Sequence, residues 1–254
     1  MPMLPDPDKM SFLEHLDELR TRLIHVVAAL AIGFVVCWGF RDPIFHFLTQ
    51  PLRQSHPDIK FIFTGPSEAL TLKMKMAFFV GIFVAAPYIL YQVWAFVSPG
   101  LYPHEKRYAW PFIAAGTLFF LGGAAFGHYY LFPMTFAFLI DFGGIDMQFL
   151  PKVGEYYEFY SWFLLGLGIV FQLPVIIFVL SRIGLVTPGF LLRKFKYAVL
   201  VSFVVAAIIT PTPDIATQTL LAVPMLGLYL LGVLVAWIFG RPRRRSEDPV
   251  SAEA

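Results

Sequence analysis

Six long stretches of this chain contain no Asp, Glu, Lys or Arg: 23–40, 76–104, 108–140, 159–181, 197–213 and 215–240. Their lengths are 18, 29, 33, 23, 17 and 26 residues. A helix needs roughly 20 apolar residues to cross a ~30 Å hydrocarbon layer, and it satisfies its own backbone there. The chain is 58% apolar and 14% charged, whereas a soluble domain has about 45–50% and about 25%. So little polar surface cannot cover so much apolar surface in water. The pattern predicts an all-α polytopic membrane protein with six transmembrane helices.

The lone cysteine, Cys37, lies within the first run and excludes an internal disulfide framework or a cysteine metal cluster. A net charge of +2 gives no reason to expect nucleic-acid binding. An acidic stretch precedes the first run, and Cys37-Trp38-Gly39-Phe40 offers no small-residue cleavage site. The run is therefore expected to remain as a span rather than be removed as a signal peptide.

Six spans put both ends of the chain on one side. That side carries 13 Lys and Arg, in the N-terminal segment, around 105–107, in 182–196 and in the tail. The other side carries 6: Arg41, Arg53, Lys60, Lys73, Lys75 and Lys152. The positive-inside rule then places both termini in the cytoplasm. Spans are expected near 23–40, 70–95, 108–138, 159–181, 195–209 and 215–238 of a single membrane domain, 1–240. An interfacial helix, 9–22, precedes them, and 41–67 forms an extracytoplasmic cap loop. Residues 241–254 are a basic, then disordered, cytoplasmic tail, its arginines set against anionic headgroups.

Pro87, Pro133, Pro174 and Pro224 fall inside the second, third, fourth and sixth runs. Proline bends a membrane helix and frees carbonyls for neighbours to satisfy, so a bent, cupped arrangement follows. The fifth span, Phe195 to Ile209, gives only ~22 Å of helix before Pro211 and Pro213 stop it. The bilayer is expected to thin there, unless the segment is a re-entrant hairpin. Gly123 and Gly127 form a GxxxG pair that favours close helix packing.

Ser11-Phe12-Leu13-Glu14 reads as a capping box. Phe12, Leu16, Leu19 and Leu23 then form one apolar stripe, opposite Glu14, Asp17, Glu18, Arg20 and Arg22. Such a helix lies in the headgroup layer and feeds into the first span. Its acids can pair locally, Glu18 with Arg22 and Asp17 with Arg20. Outside the termini, Glu105 is the only carboxylate on the cytoplasmic side, after a turn shaped by Pro99, Gly100 and Pro103. It can pair with Lys106 or Arg107. Two carboxylate sites at membrane level also suit a cationic ligand, guanidinium above all.

Gln172 lies near the centre of the fourth run, where its amide must find partners, either as glue between helices or in a functional role. His128 and Thr117 read as packing residues. Asp214 is placed to cap the last helix, and Gln218 to share that role or line a contact surface. In the cap loop, Asp42-Pro43 is expected to start a helix that Pro51 ends, and Gly65-Pro66-Ser67-Glu68 to start the next. Motifs for nucleotide hydrolysis, zinc hydrolysis and serine catalysis are missing from the sequence, so no enzyme, cofactor or metal is expected.

Five ordered blocks carry a resemblance: Phe12-Leu13-Glu14-His15-Leu16-Asp17-Glu18-Leu19-Arg20-Thr21-Arg22-Leu23, the segment Pro87 to Phe96, Leu101-Tyr102-Pro103-His104-Glu105-Lys106-Arg107, Phe171-Gln172-Leu173-Pro174 and Thr210-Pro211-Thr212-Pro213-Asp214. Together they resemble the TatC family, the multi-spanning receptor of twin-arginine protein translocation. The resemblance implies a cupped six-span receptor for the Arg-Arg signal peptides of folded cargo. It implies that Glu18 and Glu105 receive the paired arginines, surrounded by Arg20, Arg22, Phe96 and Tyr102. Gln172 is implied to face the cup and contact partner helices, a surface to which Gln218 and Asp214 are also assigned. Where the family often carries Glu, this chain has Gln172, which does not titrate. Implied partners are single-span TatA- and TatB-type subunits and further copies of the chain, in a bacterial or archaeal cytoplasmic membrane, with the proton gradient as energy source. A small-solute transporter or channel is the alternative; it calls for a midplane ion site and repeats, and neither is visible.

Overall fold

The structure is a computed structural model that describes residues 12–55, 61–62, 64–97, 109–141, 150–210 and 214–240. Among these, no β-strand forms; one isolated parallel bridge joins Ile62 and Lys152. Helix α1, Phe12–Gly39, is followed by α2, Arg41–Ser55, and α3, Glu68–Val97. Next come α4, Ala109–Phe126, a π-helical turn, Gly127–Leu131, and α5, Phe132–Asp141, in one unbroken run. Then follow α6, Val153–Val170, α7, Leu173–Arg182, α8, Pro188–Arg193, α9, Phe195–Ile209, and α10, Ile215–Phe239. Five segments are long and apolar enough to cross a membrane: α1, α3, α4 through α5, α6 with α7, and α10. The shorter α9 is the sixth apolar helix.

The 28 residues of α1 make ~42 Å of helix, more than the hydrocarbon layer needs. The polar turns around Glu18 and the apolar part of the first span therefore form one continuous helix, with no break between them. Ser11 of the expected capping box lies outside the described residues. Leu16, Leu19 and Leu23 of the expected stripe are exposed, whereas Glu18 and Arg22 turn inward. A membrane protein reverses the usual face, because lipid is as good a solvent for leucine as a core is.

Helices α1 and α3 run antiparallel and touch backbone to backbone. A Cβ added at Gly33 would lie 2.8 Å from the Gly81 carbonyl oxygen, and one at Gly81 would lie 3.0 Å from Gly33 carbonyl carbon. The GxxxG pair acts within the chain: a Cβ at Gly123 would meet Phe171 and the Leu167 carbonyl, and one at Gly127 would meet Leu167. Gly123 and Gly127 thus let α4 and the π turn settle on α6.

Proline effects divide by context. Pro133 follows the π turn, where the Phe132 N–H reaches back to the Gly127 carbonyl, five residues away. Such widening accommodates a ring that cannot donate and that would press on the preceding turn. The fourth span breaks between Val170 and Leu173, just before Pro174, and Gln172 stands at the N-cap position of the continuation without a side-chain cap bond. Pro51 departs from expectation, since α2 runs through it to Ser55. Leu48 and Leu52 on either side are buried in the core, and burying two leucines offsets the ~3 kcal/mol of an interior proline.

The core lies between α2, α3, α5, α6, α9 and α10, around the buried rings of Phe132, Tyr160 and Phe163. Three tyrosines of α6 tie it together through their hydroxyls. Tyr156 donates to the Leu48 carbonyl at 3.0 Å, Tyr157 donates to the Lys75 carbonyl at 2.7 Å, and Tyr160 lies 2.6 Å from His128 Nδ1. On the same side of the layer, Lys73 pairs with Asp42 and Lys75 with Glu158. The hydrogen bond and charge of Lys73 hold the Asp42 carboxyl below its ordinary range. The start of α3 is closed by Glu68, whose carboxylate accepts the N–H groups of Thr64 and Gly65.

Candidate functional site

His15, Glu18 and Arg22 recur at i, i+3 and i+7 and so share one face of α1. That face meets the end of α3, where Gln92 and Phe96 are one turn apart. The His15 ring stacks on Phe96 with centroids 4.4 Å apart. Arg22 donates through Nη2 to Glu18 Oε1 at 3.1 Å and through Nη1 to Gln92 Oε1, also at 3.1 Å. Gln92 is buried, which fixes Arg22 against α3 rather than leaving it to sweep through the headgroups.

Glu18 is the centre of the arrangement. Its side chain is only 17% exposed, and its second oxygen, Oε2, is buried with no hydrogen-bond partner among the described residues. A carboxylate oxygen withdrawn from water without a donor is costly, by about 1–3 kcal/mol or more for a charged group. Supplying a donor recovers that energy, and a guanidinium is the best-matched donor. Arg20 and Thr21 join Glu18 and Arg22 around an open depression of about 620 Å³. Arg20 is exposed, and no ion pair joins it to Asp17, whereas the expected Glu18–Arg22 pair forms. Glu18, Arg20 and Arg22 thus share this depression, while Phe96 stands against α1 through its stack on His15. Glu105 and Tyr102 lie outside the described residues. Sequence reasoning missed His15 and Gln92; their signal was the shared face with Glu18 on one helix and with Phe96 on the other.

The remaining polar positions are elsewhere. Gln172 is half-buried between α6 and α7, and its Nε2 donates to the Gly116 carbonyl on α4 at 3.0 Å. Gly116 has room for this because it lacks a side chain; a Cβ there would sit 3.3 Å from Gln172 Oε1. Asp214 caps α10, accepting the Thr217 N–H at 2.7 Å and the Thr217 hydroxyl. The Gln218 N–H donates to the Asp214 carbonyl at 3.2 Å, and its side chain is half-buried. By the order of spans, Asp214 and Gln218 stand on the side of the layer opposite Glu18. His128 is a packing position, buried under the Phe47 ring, and the Thr117 hydroxyl is buried with no hydrogen-bond partner among the described residues. No group of three or more His, Cys, Asp or Glu is placed to hold a metal among the described residues.

These features define a multi-pass helical membrane protein with a half-buried, guanidinium-accepting carboxylate at one end of its first helix pair. The family profile described as Sec-independent protein translocase protein (TatC) matches residues 14–224. The chain is 44% identical over 251 residues to a Sec-independent protein translocase protein TatC of Koribacter versatilis, covering 96% of this chain and 91% of the relative. A TatC of Desulforapulum autotrophicum is 39% identical over 247 residues, covering 97% and 91%. A crystal structure described as the twin arginine translocase receptor TatC superposes with a TM-score of 0.79 at 35% identity, covering 90% of this chain and 100% of that one. The chain belongs to the TatC family, components of a protein translocase and not enzymes.

Proposed function

We propose that this protein is the multi-spanning receptor of a twin-arginine translocase. It binds the Arg-Arg signal peptides of folded cargo on its cytoplasmic side and assembles with single-span TatA- and TatB-type subunits for export driven by the proton gradient. The single observation that supports the site is Glu18, half-buried, with Oε1 on Arg22 and Oε2 without a donor. An incoming guanidinium supplies that donor, and Glu105 receives the second arginine. Arg22 cannot discharge the site because Gln92 and α3 hold it on the opposite edge of the carboxylate. The surplus of 13 to 6 basic residues supports an orientation with both termini inside, in a bacterial or archaeal cytoplasmic membrane. Gln172, Gln218 and Asp214 belong to the surfaces that partner helices meet.

The test is site-specific crosslinking of a signal peptide to the protein in membranes. Glu18→Ala combined with Glu105→Ala is expected to abolish crosslinking to an Arg-Arg peptide without loss of inserted protein. A Lys-Lys peptide is expected to bind the unaltered protein weakly, because an ammonium lacks the planar fork. Undiminished crosslinking in the double variant overturns the assignment.

A further inference from the structure

We propose that Arg193, Lys194 and Lys196, gathered where α8 meets α9, bind the phosphate of an anionic phospholipid drawn inward from the leaflet on the Glu18 side. With Thr187, Phe190 and Tyr197 they line an open depression of about 470 Å³. No carboxylate lines it, and the sequence holds no Asp or Glu between Glu158 and Asp214. Asp214 itself stands at the opposite end of α9, as the cap of α10. None of the three cations pairs with a carboxylate among the described residues. Lys194 Nζ lies 5.9 Å from the Phe190 ring centroid and 5.1 Å from that of Tyr197, and Lys196 Nζ lies 5.2 Å from the same Tyr197 centroid. Arg193 is fixed beside them, its Nε donating to the Gly189 carbonyl at 3.2 Å. A snorkelling lysine stretches its stem toward water, whereas these two fold onto rings and share one of them. Like charges held this way repel, and an anion among them turns the repulsion into attraction.

Depth decides which anion. Helix α9 supplies ~22 Å for a ~30 Å layer. Near its far end, the Ile208 carbonyl accepts from Trp162 Nε1 at 3.2 Å, four residues past Glu158, the last charge before the fourth span. That end reaches the far surface, so the shortfall of ~8 Å lies at the Lys194 end. Helix α10 shows the same offset. The Tyr229 hydroxyl donates to the Leu191 carbonyl of α8 at 2.8 Å, and α10 runs on for ~15 Å to Phe239. Residues Leu230 to Phe239 are apolar throughout, and Leu234, Trp237 and Ile238 among them are exposed, so this stretch stands in hydrocarbon. The three cations are therefore sunk beside it, below the ordinary level of the headgroups. A water-borne anion does not follow them there, whereas a phospholipid carries its phosphate on acyl chains and descends where the bilayer thins. Phe190 and Leu192, exposed on α8, meet those chains. A zwitterionic lipid brings an ammonium that the three cations repel, so a net anionic lipid is selected. The inference needs only that these helices span the membrane, and it stands apart from the signal-peptide site.

The experiment is native mass spectrometry of the full chain released from detergent doped with equal phosphatidylglycerol and phosphatidylcholine. The unaltered protein is expected to retain phosphatidylglycerol preferentially. Lys194→Gln and Lys196→Gln are each expected to lower that preference about fivefold, the weight of one basic residue beside anionic headgroups. Arg53→Gln removes one charge on the opposite side of the layer and is expected to leave the preference unchanged. Inorganic phosphate in excess is expected to leave the lipid bound. In membranes, a photocrosslinker at Phe190 is expected to yield lipid adducts. Equal retention of the two lipids, lysine variants that behave like Arg53→Gln, displacement of the lipid by inorganic phosphate, or adducts to a protein chain in place of lipid would each overturn the proposal.

Discussion

Gln92 on α3 accepts a hydrogen bond from Arg22 on α1 at 3.1 Å, and through Arg22 it sets the position of Glu18. The relationship crosses 70 residues of sequence and makes a buried amide the support of a half-buried carboxylate. Positioned groups act through their supports, so in the proposed site Gln92 is a positioning residue that need not touch a ligand.

Gln92→Leu tests that chain of contacts. Leucine fills the space but offers Arg22 no acceptor, so Arg22 swings toward Glu18 and occupies both carboxylate oxygens. Signal-peptide crosslinking is expected to fall about tenfold, which corresponds to about 1.4 kcal/mol, with little change in thermal stability in detergent. Gln92→Glu retains an acceptor for Arg22 and is expected to bind better than Gln92→Leu. Equal binding by the two variants would show that Gln92 only packs.

Glycine substitutions are expected to sort by what their new methyl group meets. Gly33→Ala drives a Cβ into the Gly81 backbone, which cannot rotate away as a side chain can. A loss of about 1–3 kcal/mol is expected, read as a lower melting temperature in detergent. Gly122→Ala meets nothing within 4 Å and is expected to be neutral or to stabilise by up to about 1 kcal/mol. Its neighbour Gly123→Ala, against Phe171 and the Leu167 carbonyl, is expected to resemble Gly33→Ala. The same melting series compares all three.

Gln172→Leu removes the bond to the Gly116 carbonyl. Membrane hydrogen bonds of this kind average about 0.6 kcal/mol, so the fold is expected to survive with a small drop in melting temperature. Signal-peptide binding is expected to persist, while recovery of a single-span partner on co-purification weakens. Full recovery of the partner would confine Gln172 to an internal role, holding the broken fourth span against α4.

The spans were legible because charge is excluded from hydrocarbon whatever the tertiary arrangement, and the short α9 could be measured from Phe195 to Pro211 in the sequence. Asp214 as a cap and the Glu18–Arg22 pair were also legible, being contacts three or four residues apart. What stayed hidden is long-range. Gly33 and Gly81 carry no pattern of their own, because a backbone crossing needs one small residue on each helix rather than a repeat. Gln92 reads as one polar residue among apolar ones until α3 is laid beside α1. Pro51 misled because local propensity was weighed without the burial of Leu48 and Leu52. The α6 tyrosines 156, 157 and 160 were readable as polar handles in an apolar span, but their acceptors lie on three other elements.

The last of those tyrosines supports the sharpest stability prediction. Tyr160 and His128 are both buried, and their 2.6 Å contact is the one hydrogen bond either side chain makes among the described residues. His128 Nε2 has no partner there. Tyr160→Phe keeps the ring against Phe132 and removes the hydroxyl, leaving both imidazole nitrogens buried without partners. The expected cost is about 1–3 kcal/mol, more than the bond alone is worth, because the penalty is that of a stranded polar group. Adding His128→Phe removes the stranded group and keeps an aromatic ring stacked on Phe47. The double variant is therefore expected to be more stable than Tyr160→Phe alone, with a coupling of about 0.5–3 kcal/mol in a double-mutant cycle of detergent melts. Strict additivity of the two substitutions would mean that the contact contributes nothing and that the core rests on its apolar rings.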